Sequence, residues 1–175
     1  RLGSHLLEAL AHAHQFGIVH RDVKPENVVI SPGRGTVLLD FGIARAMVTS
    51  VSKEITRAGM TVGSSAYMSP EQINGEQQID GRSDLYSLGC VLFECLAGRA
   101  PFIWRKEAVV LQLHLTEPPP DVRTFRPEVP ECLASAIFKA LEKAPRDRWQ
   151  SAAEMGEVLE HCHQYIALNR ERVAS

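Results

Sequence analysis

The chain has 175 residues, 45% of them hydrophobic, and a formal net charge of -2. That length suffices for one domain burying about 70% of its unfolded surface, and the charge gives no reason to expect nucleic acid or an anionic membrane as a partner. No secretory leader and no apolar run of spanning length is found, so no membrane contact is expected within these residues.

Leu2, Leu6, Leu7, Leu10, Ala13 and His14 recur at helical spacing, and Gly17 stands where a helix stops. Two β-rich runs follow, 28–30 and 36–39, joined by Ser31-Pro32-Gly33-Arg34-Gly35, which reads as a hairpin. Residues 46–68 have little periodicity and many Ser, Thr and Gly residues, which predicts a long loop. Residues 83–98, "SDLYSLGCVLFECLAG", predict a helix capped by Ser83 and stopped by Gly98. Its apolar residues lie on nearly every face, so it should be the buried axis of the domain. Pro118-Pro119-Pro120 breaks the chain. Pro130 opens a helix at its first position, running to about residue 143. Ser151 to Glu154 reads as a capping box opening the last helix. The four cysteines, Cys90, Cys95, Cys132 and Cys162, show no C-x-x-C spacing. They read as free thiols of a reducing cytosol, so a cytoplasmic location is expected.

The densest chemistry lies in "IVHRDVKPENVVI", residues 18–30, a polar loop held between apolar runs. Such a loop presents reactive groups from a rigid support. Asp22 and Asn27 share it, and Asp40 follows the hairpin in "LLDFG". A hairpin folds back, so Asn27 and Asp40 can come side by side. One carboxylate and one amide oxygen suit Mg²⁺, which takes few protein ligands and leaves other positions to water and phosphate. Asp22 then stands near the metal, able to accept a hydroxyl proton, and Lys24 adds positive charge for a transferring phosphoryl group. The histidines His12, His14, His161 and His163 read as surface or core residues, because His-x-His on a helix points two ways. Leu88, Val91, Leu92 and Phe93 read as core, and Trp104 with the triple proline as loop packing.

His20-Arg21-Asp22-Val23-Lys24-Pro25-Glu26-Asn27 resembles the catalytic loop of protein kinases, and Asp40-Phe41-Gly42 resembles their metal-binding DFG. Ser69-Pro70-Glu71 stands where the family has Ala-Pro-Glu, Asp84 in "RSDLYSLG" matches its Asp at the start of the central helix, and Arg148 in "PRDRW" matches the Arg that pairs with the Pro-Glu glutamate. "YMSPEQ" and "SDLYSLGCVLFECLAGRAPF" are most similar to bacterial Ser/Thr kinases of eukaryotic (Hanks) type.

The resemblance implies a mainly α fold, a kinase-like large C-terminal lobe over residues 1–168 with a short β-hairpin and a tail at 169–175. It implies Asp22, Lys24 and Asn27 as catalytic residues. Lys24, Glu26, Asn27, Val29 and Asp40 would contact ATP, with Val29 beneath the adenine, and Asn27 and Asp40 would hold Mg²⁺ or Mn²⁺. Ser64 stands where the family has a Thr that touches the catalytic Asp and Lys. Arg21 would read a phosphate on the loop 43–68, with Arg45 beside it and Thr56, then Thr61, as its carriers. His20 and Phe41 would pack together, and Glu71, Asp84 and Arg148 would be structural. Expected partners are proteins bearing Ser or Thr and a separate β lobe. The Gly-rich loop and V-A-I-K lysine of that lobe are not found in these residues, so two readings stand: a kinase fragment inactive alone, or a kinase-like docking or regulatory module.

Overall fold

The computed structural model describes residues 2–31, 35–41 and 64–173. The first helix, α1 (Leu2–Gln15), buries Leu6, Leu7, Leu10 and Ala13 on one face, as the spacing predicts. Gly17 ends it at φ 70°, a conformation that Gly adopts without steric cost. A single 3-10 turn, Pro25–Asn27, then leads into β1 (Val28–Ser31), which pairs antiparallel with β2 (Gly35–Leu38). Val28 faces Leu38 and Val29 faces Val37. This hairpin is the one sheet among the described residues.

Of the predicted loop 46–68, the end is ordered differently. Ser64–Tyr67 forms a 3-10 turn, pinned by the Ser87 hydroxyl donating to the Tyr67 carbonyl at 2.7 Å. A short helix, α2 (Pro70–Ile73), follows with a full capping box between Ser69 and Gln72.

The central helix, α3 (Gly81–Ala97), has every residue from Ser83 to Phe93 buried. A helix apolar all round can only be an axis. Its start differs from expectation. Asp80 is the cap, accepting from the Arg82 N–H, while the Ser83 hydroxyl is buried against the Ser69 hydroxyl at 2.6 Å. Its end does not differ: Gly98 closes it at φ 72°.

Around this axis pack α1, α5 (Glu131–Ala140) and α6 (Ala152–Val173), while α4 (Glu107–Thr116) covers the Ser64–Tyr67 turn. Pro130 caps α5 rather than occupying its first turn, and the helix stops at Ala140 instead of near residue 143. The carbonyls of Glu142 and Lys143 leave the helix to accept from Arg148. At α6, Ser151 accepts from the Glu154 N–H, but the Glu154 carboxylate reaches back to the Gln150 N–H, so the box closes one residue early. Leu85, Leu88, Phe93, Ile137, Leu141, Met155 and Leu159 form the core with α1. Trp104 is 63% exposed, not packed as its loop setting implied. The four cysteines are free thiols, and no helix among the described residues is long and apolar enough to cross a membrane.

One buried base stands out in this core. His114 of α4 is fully buried. Its Nδ1 meets the Tyr86 hydroxyl at 2.8 Å, and its ring packs on Phe102. Nε2 finds no hydrogen-bond partner among the described residues, although the Ala66 backbone lies beside it and works weakly against the pKa shift. Burial first, and the Lys143 ammonium second, lower its pKa to about 3. Lys143, itself lowered to about 8 by burial, stays charged at neutral and acid pH. A base whose folded pKa lies below its unfolded value loses stability as pH falls through the unfolded value, about 6.5. Between pH 7 and 5 His114 should therefore cost the fold about 2 kcal/mol. His114→Asn keeps a polar atom near Tyr86 and cannot titrate. Urea unfolding at both pH values should show the variant losing less stability than wild type by about that amount; parallel losses would exclude His114 as the source.

Candidate active site

The polar loop is held from below by one carboxylate. Asp84 lies in the first turn of α3 and is 1% exposed. Its Oδ2 accepts from the His20 N–H and from His14 Nε2, each at 2.8 Å, and its Oδ1 accepts from the Arg21 N–H at 2.8 Å. Three donors replace the water that a buried carboxylate loses, and the positive end of α3 adds to them. His14 comes close because the helix start has no side chain there: a Cβ on Gly81 would sit 2.5 Å from the His14 ring.

These bonds hold strained backbone. Arg21 has φ 64°, which costs a non-glycine residue on the order of 1–3 kcal/mol. Asp84 takes its N–H, and the Gln72 side-chain amide donates to its carbonyl at 2.8 Å. The loop and the α2 segment are thereby joined.

His20 is also fully buried. The Asp22 N–H approaches its Nδ1 at 3.2 Å, so Nδ1 accepts and Nε2 carries the proton to the Leu39 carbonyl at 2.9 Å. Its ring lies 4.6 Å from that of Phe41, centroid to centroid. One side chain thus ties the polar loop to the segment holding Asp40.

On this support the acidic and amide groups converge. Asp22 Oδ2 lies 2.9 Å from Lys24 Nζ. Asn27 Nδ2 donates to the Asp22 carbonyl at 2.8 Å and to its Oδ2 at 3.2 Å. With its amide nitrogen turned to Asp22, Asn27 keeps its Oδ1 for another partner. The Leu39 N–H donates to the Asn27 carbonyl at 2.8 Å, which sets Asp40 next to Asn27 across the hairpin. Asp40 is exposed at φ 54°, a conformation that Asp tolerates better than most residues. Two oxygen donors make no closed protein cage, and no cluster of three acidic or imidazole groups exists among the described residues. A pair of this kind fits Mg²⁺ or Mn²⁺ that brings phosphate oxygens with it.

Glu26 is exposed beside this site, and Val29 and Val37, each 42% exposed, form an apolar pair on the hairpin. Leu39, 41% exposed, alternates onto the same side of the hairpin as this pair, while Ile30, 70% exposed, points to the other side. Arg45, Thr56, Thr61 and the Ser64 side chain lie outside the described residues.

Behind the site, Glu71 and Arg148 form a bidentate pair at 2.7 and 2.8 Å. Arg148 Nε donates to the Glu142 carbonyl, and the remaining guanidinium protons go to Arg82 and Lys143 carbonyls. All five guanidinium donors are used. Tyr67 donates its hydroxyl to Glu94. Burial and that carboxylate push the phenol pKa well up, which keeps Tyr67 a donor.

The geometry gathers His20, Arg21, Asp22, Lys24, Asn27, Asp40 and Phe41 into one place. Sequence reasoning missed His14 and Gln72 as their supports. His14 closed the apolar stripe of α1, the one signal that it faces inward; nothing local marks Gln72.

The protein kinase domain family model matches residues 1–165. The chain belongs to the protein kinase family. Among curated relatives it is 44% identical to the serine/threonine-protein kinase PknB of Mycolicibacterium smegmatis, over 95% of this chain and 26% of the relative. It is 43% identical to a probable serine/threonine-protein kinase of Streptomyces coelicolor, over 90% of this chain and 23% of that one. The chain spans about a quarter of the length of these relatives. Among solved structures it is similar to Rad53 1-466 in complex with AMP-PNP, with TM-score 0.68 and 25% identity, over 89% of this chain and 37% of that one. The kinase likeness reaches the helical lobe and its hairpin, the fold class read from the motifs.

The Asp84 carboxylate can be tested in isolation. Asp84→Asn presents an amide nitrogen to donors and should destabilise the chain by about 2–4 kcal/mol in urea unfolding. Amide exchange at His20 and Arg21 should accelerate more than at the α6 core. Unchanged exchange at those two amides would contradict the anchoring role.

Proposed function

We propose that this chain is the substrate-facing part of a serine/threonine protein kinase, transferring the γ-phosphoryl group of ATP to Ser or Thr hydroxyls of proteins. The observation that carries this is the Asp22 carboxylate held between Lys24 Nζ and Asn27 Nδ2. An oriented, half-buried carboxylate at the edge of a rigid loop can align a hydroxyl and take its proton. Lys24, two positions on, brings a positive charge to a phosphoryl group entering at the same edge. Asn27 Oδ1 and Asp40 would hold Mg²⁺ or Mn²⁺, which supplies charge neutralisation for the nucleotide phosphates. Glu26 lies at the nucleotide edge, and Val29 offers an apolar surface to the adenine. His20, Phe41, Asp84, Glu71 and Arg148 position these groups without touching substrate.

Phosphoryl transfer rests on positioning and electrostatics. The chain supplies a base, a cation and two metal ligands, but its 175 residues contain no Gly-rich phosphate loop and no β3-type lysine. The exposed apolar side chains of Val29, Val37 and Leu39, on one side of the hairpin, suit cover by a second lobe that carries them. The 175 residues alone should show no measurable transfer, and the same chain joined to such a lobe should be active. In the joined protein Asp22→Asn should lower kcat by about 10³ with the KM for ATP nearly kept, because Asp22 acts on the hydroxyl. Robust transfer by the isolated chain would refute the division of labour, and a kcat retained in Asp22→Asn would refute the role of the base. The competing reading, a docking module without transfer, predicts an inactive joined protein that still binds its targets.

Regulation is read from Arg21 and the loop 43–68. A phosphate brings nearly two negative charges and three acceptor oxygens, which Arg21 and Arg45 can bind. Thr56 is the first candidate to carry it and Thr61 the second; Ser64 is reserved for contact with Asp22 and Lys24. Phosphate should map to this loop after incubation of the joined kinase with ATP. Thr56→Ala with Thr61→Ala should then lose about tenfold or more in activity, the scale of one charge-assisted contact. Full activity in the double variant would exclude these hydroxyls as the switch.

A further inference from the structure

His114 is buried although it weakens the fold in acid, and it takes no part in the reaction proposed above. Its helix explains the burial. α4 presents only Val110 and His114 to the core. Val110 contributes apolar contact, which has no direction. The buried hydrogen bond between His114 Nδ1 and the Tyr86 hydroxyl, 2.8 Å long, therefore fixes where α4 sits on α3. Lys143 Nζ adds a weaker polar contact to the Leu113 carbonyl at 3.4 Å, near the outer limit for such a bond. Phe102 closes the cluster. Its ring lies 4.9 Å from that of His114, edge to face, and the Lys143 ammonium lies over it at 4.4 Å.

α4 in turn packs on the Ser64–Tyr67 turn and on α2. The turn opens at Ser64, assigned above to contact with Asp22 and Lys24. α2 carries Gln72, whose amide donates to the Arg21 carbonyl at 2.8 Å. The central helix holds the same turn directly, through the Ser87 hydroxyl on the Tyr67 carbonyl at 2.7 Å. Tyr86 and Ser87 are adjacent in that helix. Tyr86 also carries the Arg148 guanidinium over its ring, 4.8 Å from the centre, and Arg148 holds Glu71 of α2. The segment from Ser64 to Ile73 is thus gripped by α3 through Ser87, by Arg148 through Glu71, and by α4 seated on Tyr86.

Resting on the kinase reading above for what the turn meets, we propose that Tyr86 and His114 are positioning residues for the protein substrate. Their hydrogen bond seats α4, and α4 keeps the Ser64–Tyr67 turn and α2 in register with Asp22. Neither residue touches substrate. Burial raises the Tyr86 pKa well above its usual value, so the phenol keeps its proton and donates it to Nδ1. His114 is then neutral, with its ring proton on Nε2. An aliphatic residue at position 114 would fill the same place without fixing the register of α4, because only the hydrogen bond has a direction.

Three substitutions separate these roles. Tyr86→Phe leaves the ring beneath Arg148 and removes the hydroxyl. His114→Leu removes the acceptor. His114→Asn places an amide oxygen near the Nδ1 position and should keep the bond. In the 175-residue chain, amide exchange should be followed at Met68 and Ile73, whose N–H groups bond the Ser65 and Ser69 carbonyls. It should rise about fivefold in Tyr86→Phe and His114→Leu, the scale of one neutral hydrogen bond. In His114→Asn it should stay near wild type. A pair that served only global stability would speed exchange at Leu159 in the α6 core and leave Met68 and Ile73 unchanged, and that pattern would overturn the proposal.

In the chain joined to a small lobe, Tyr86→Phe and His114→Leu should raise the KM for a Ser- or Thr-bearing protein about fivefold, with the KM for ATP kept. Loss of folded protein alone would lower the apparent kcat and move neither KM. Unmoved KM values, a KM for ATP that rises in parallel, or His114→Asn behaving like His114→Leu would each count against the pair. Tyr86→Phe decides the matter where a His114 variant does not fold. Wild-type joined protein that transfers no phosphate would refute the kinase reading instead, and the exchange rates would still decide whether the pair holds the turn.

Discussion

The buried carboxylate of Asp84 is the interaction on which the site depends. Hydrophobic packing holds α1 against α3 and α6, but it has no direction and cannot set where a loop carbonyl or amide points. Asp84 does so with three hydrogen bonds to groups far apart in sequence, His14 in α1 and the His20 and Arg21 amides. Because the carboxylate is rooted in the most buried helix of the domain, the polar loop inherits the rigidity of the core. The left-handed backbone at Arg21 is a conformation the loop would shed if the carboxylate let go. Gly81 belongs to the same device, since only the absence of a Cβ lets the His14 ring reach the start of α3.

Glu71 and Arg148 solve a second problem of the same kind. A buried ion pair is expensive to desolvate, and many could be replaced by apolar residues without loss of stability. Here the guanidinium does more than neutralise Glu71. It gathers carbonyls of Arg82, Glu142 and Lys143, and so joins the start of α3 to the turn after α5 through one planar group. Its ring-facing side lies over Tyr86, 4.8 Å from the ring centre. No aliphatic residue offers five donors in a fixed plane. The early end of α5 is the structural cost, since carbonyls given to Arg148 are not available to the helix.

Where the sequence was legible and where it was not follows the range of the forces involved. The α1 stripe, the hairpin and the all-apolar α3 are local patterns, and each could be read from residues close together. The α4 helix could not. In "EAVVLQLHLT" only Val110 and His114 are buried, a seam one residue wide, and Lys106 gives no side-chain cap to mark its start. Ser83 misled for a different reason. It has the chemistry of a cap, but its hydroxyl is drawn to Ser69, which a reading of the helix alone cannot see. The polar cluster around Asp22 and Asn27 was legible as a candidate site because its members are chemically unusual and closely spaced. Its supports, His14 and Gln72, are common residues whose meaning lies in partners far along the chain.

His20 shows how these layers become one mechanical unit. Its backbone N–H belongs to Asp84, its Nδ1 receives the Asp22 N–H, its Nε2–H goes to the Leu39 carbonyl, and its ring meets Phe41. Asp22 and Asp40 sit on different segments, each within one or two residues of a group that His20 holds. Asp40 carries positive φ like Arg21, so neither segment rests in the conformation that its residues would choose alone. Displacing His20 would therefore shift the Asp22 and Asp40 carboxylates in concert, and would do so without altering either side chain. One buried imidazole sets the position of both carboxylates, so an error in its position moves the pair together rather than apart.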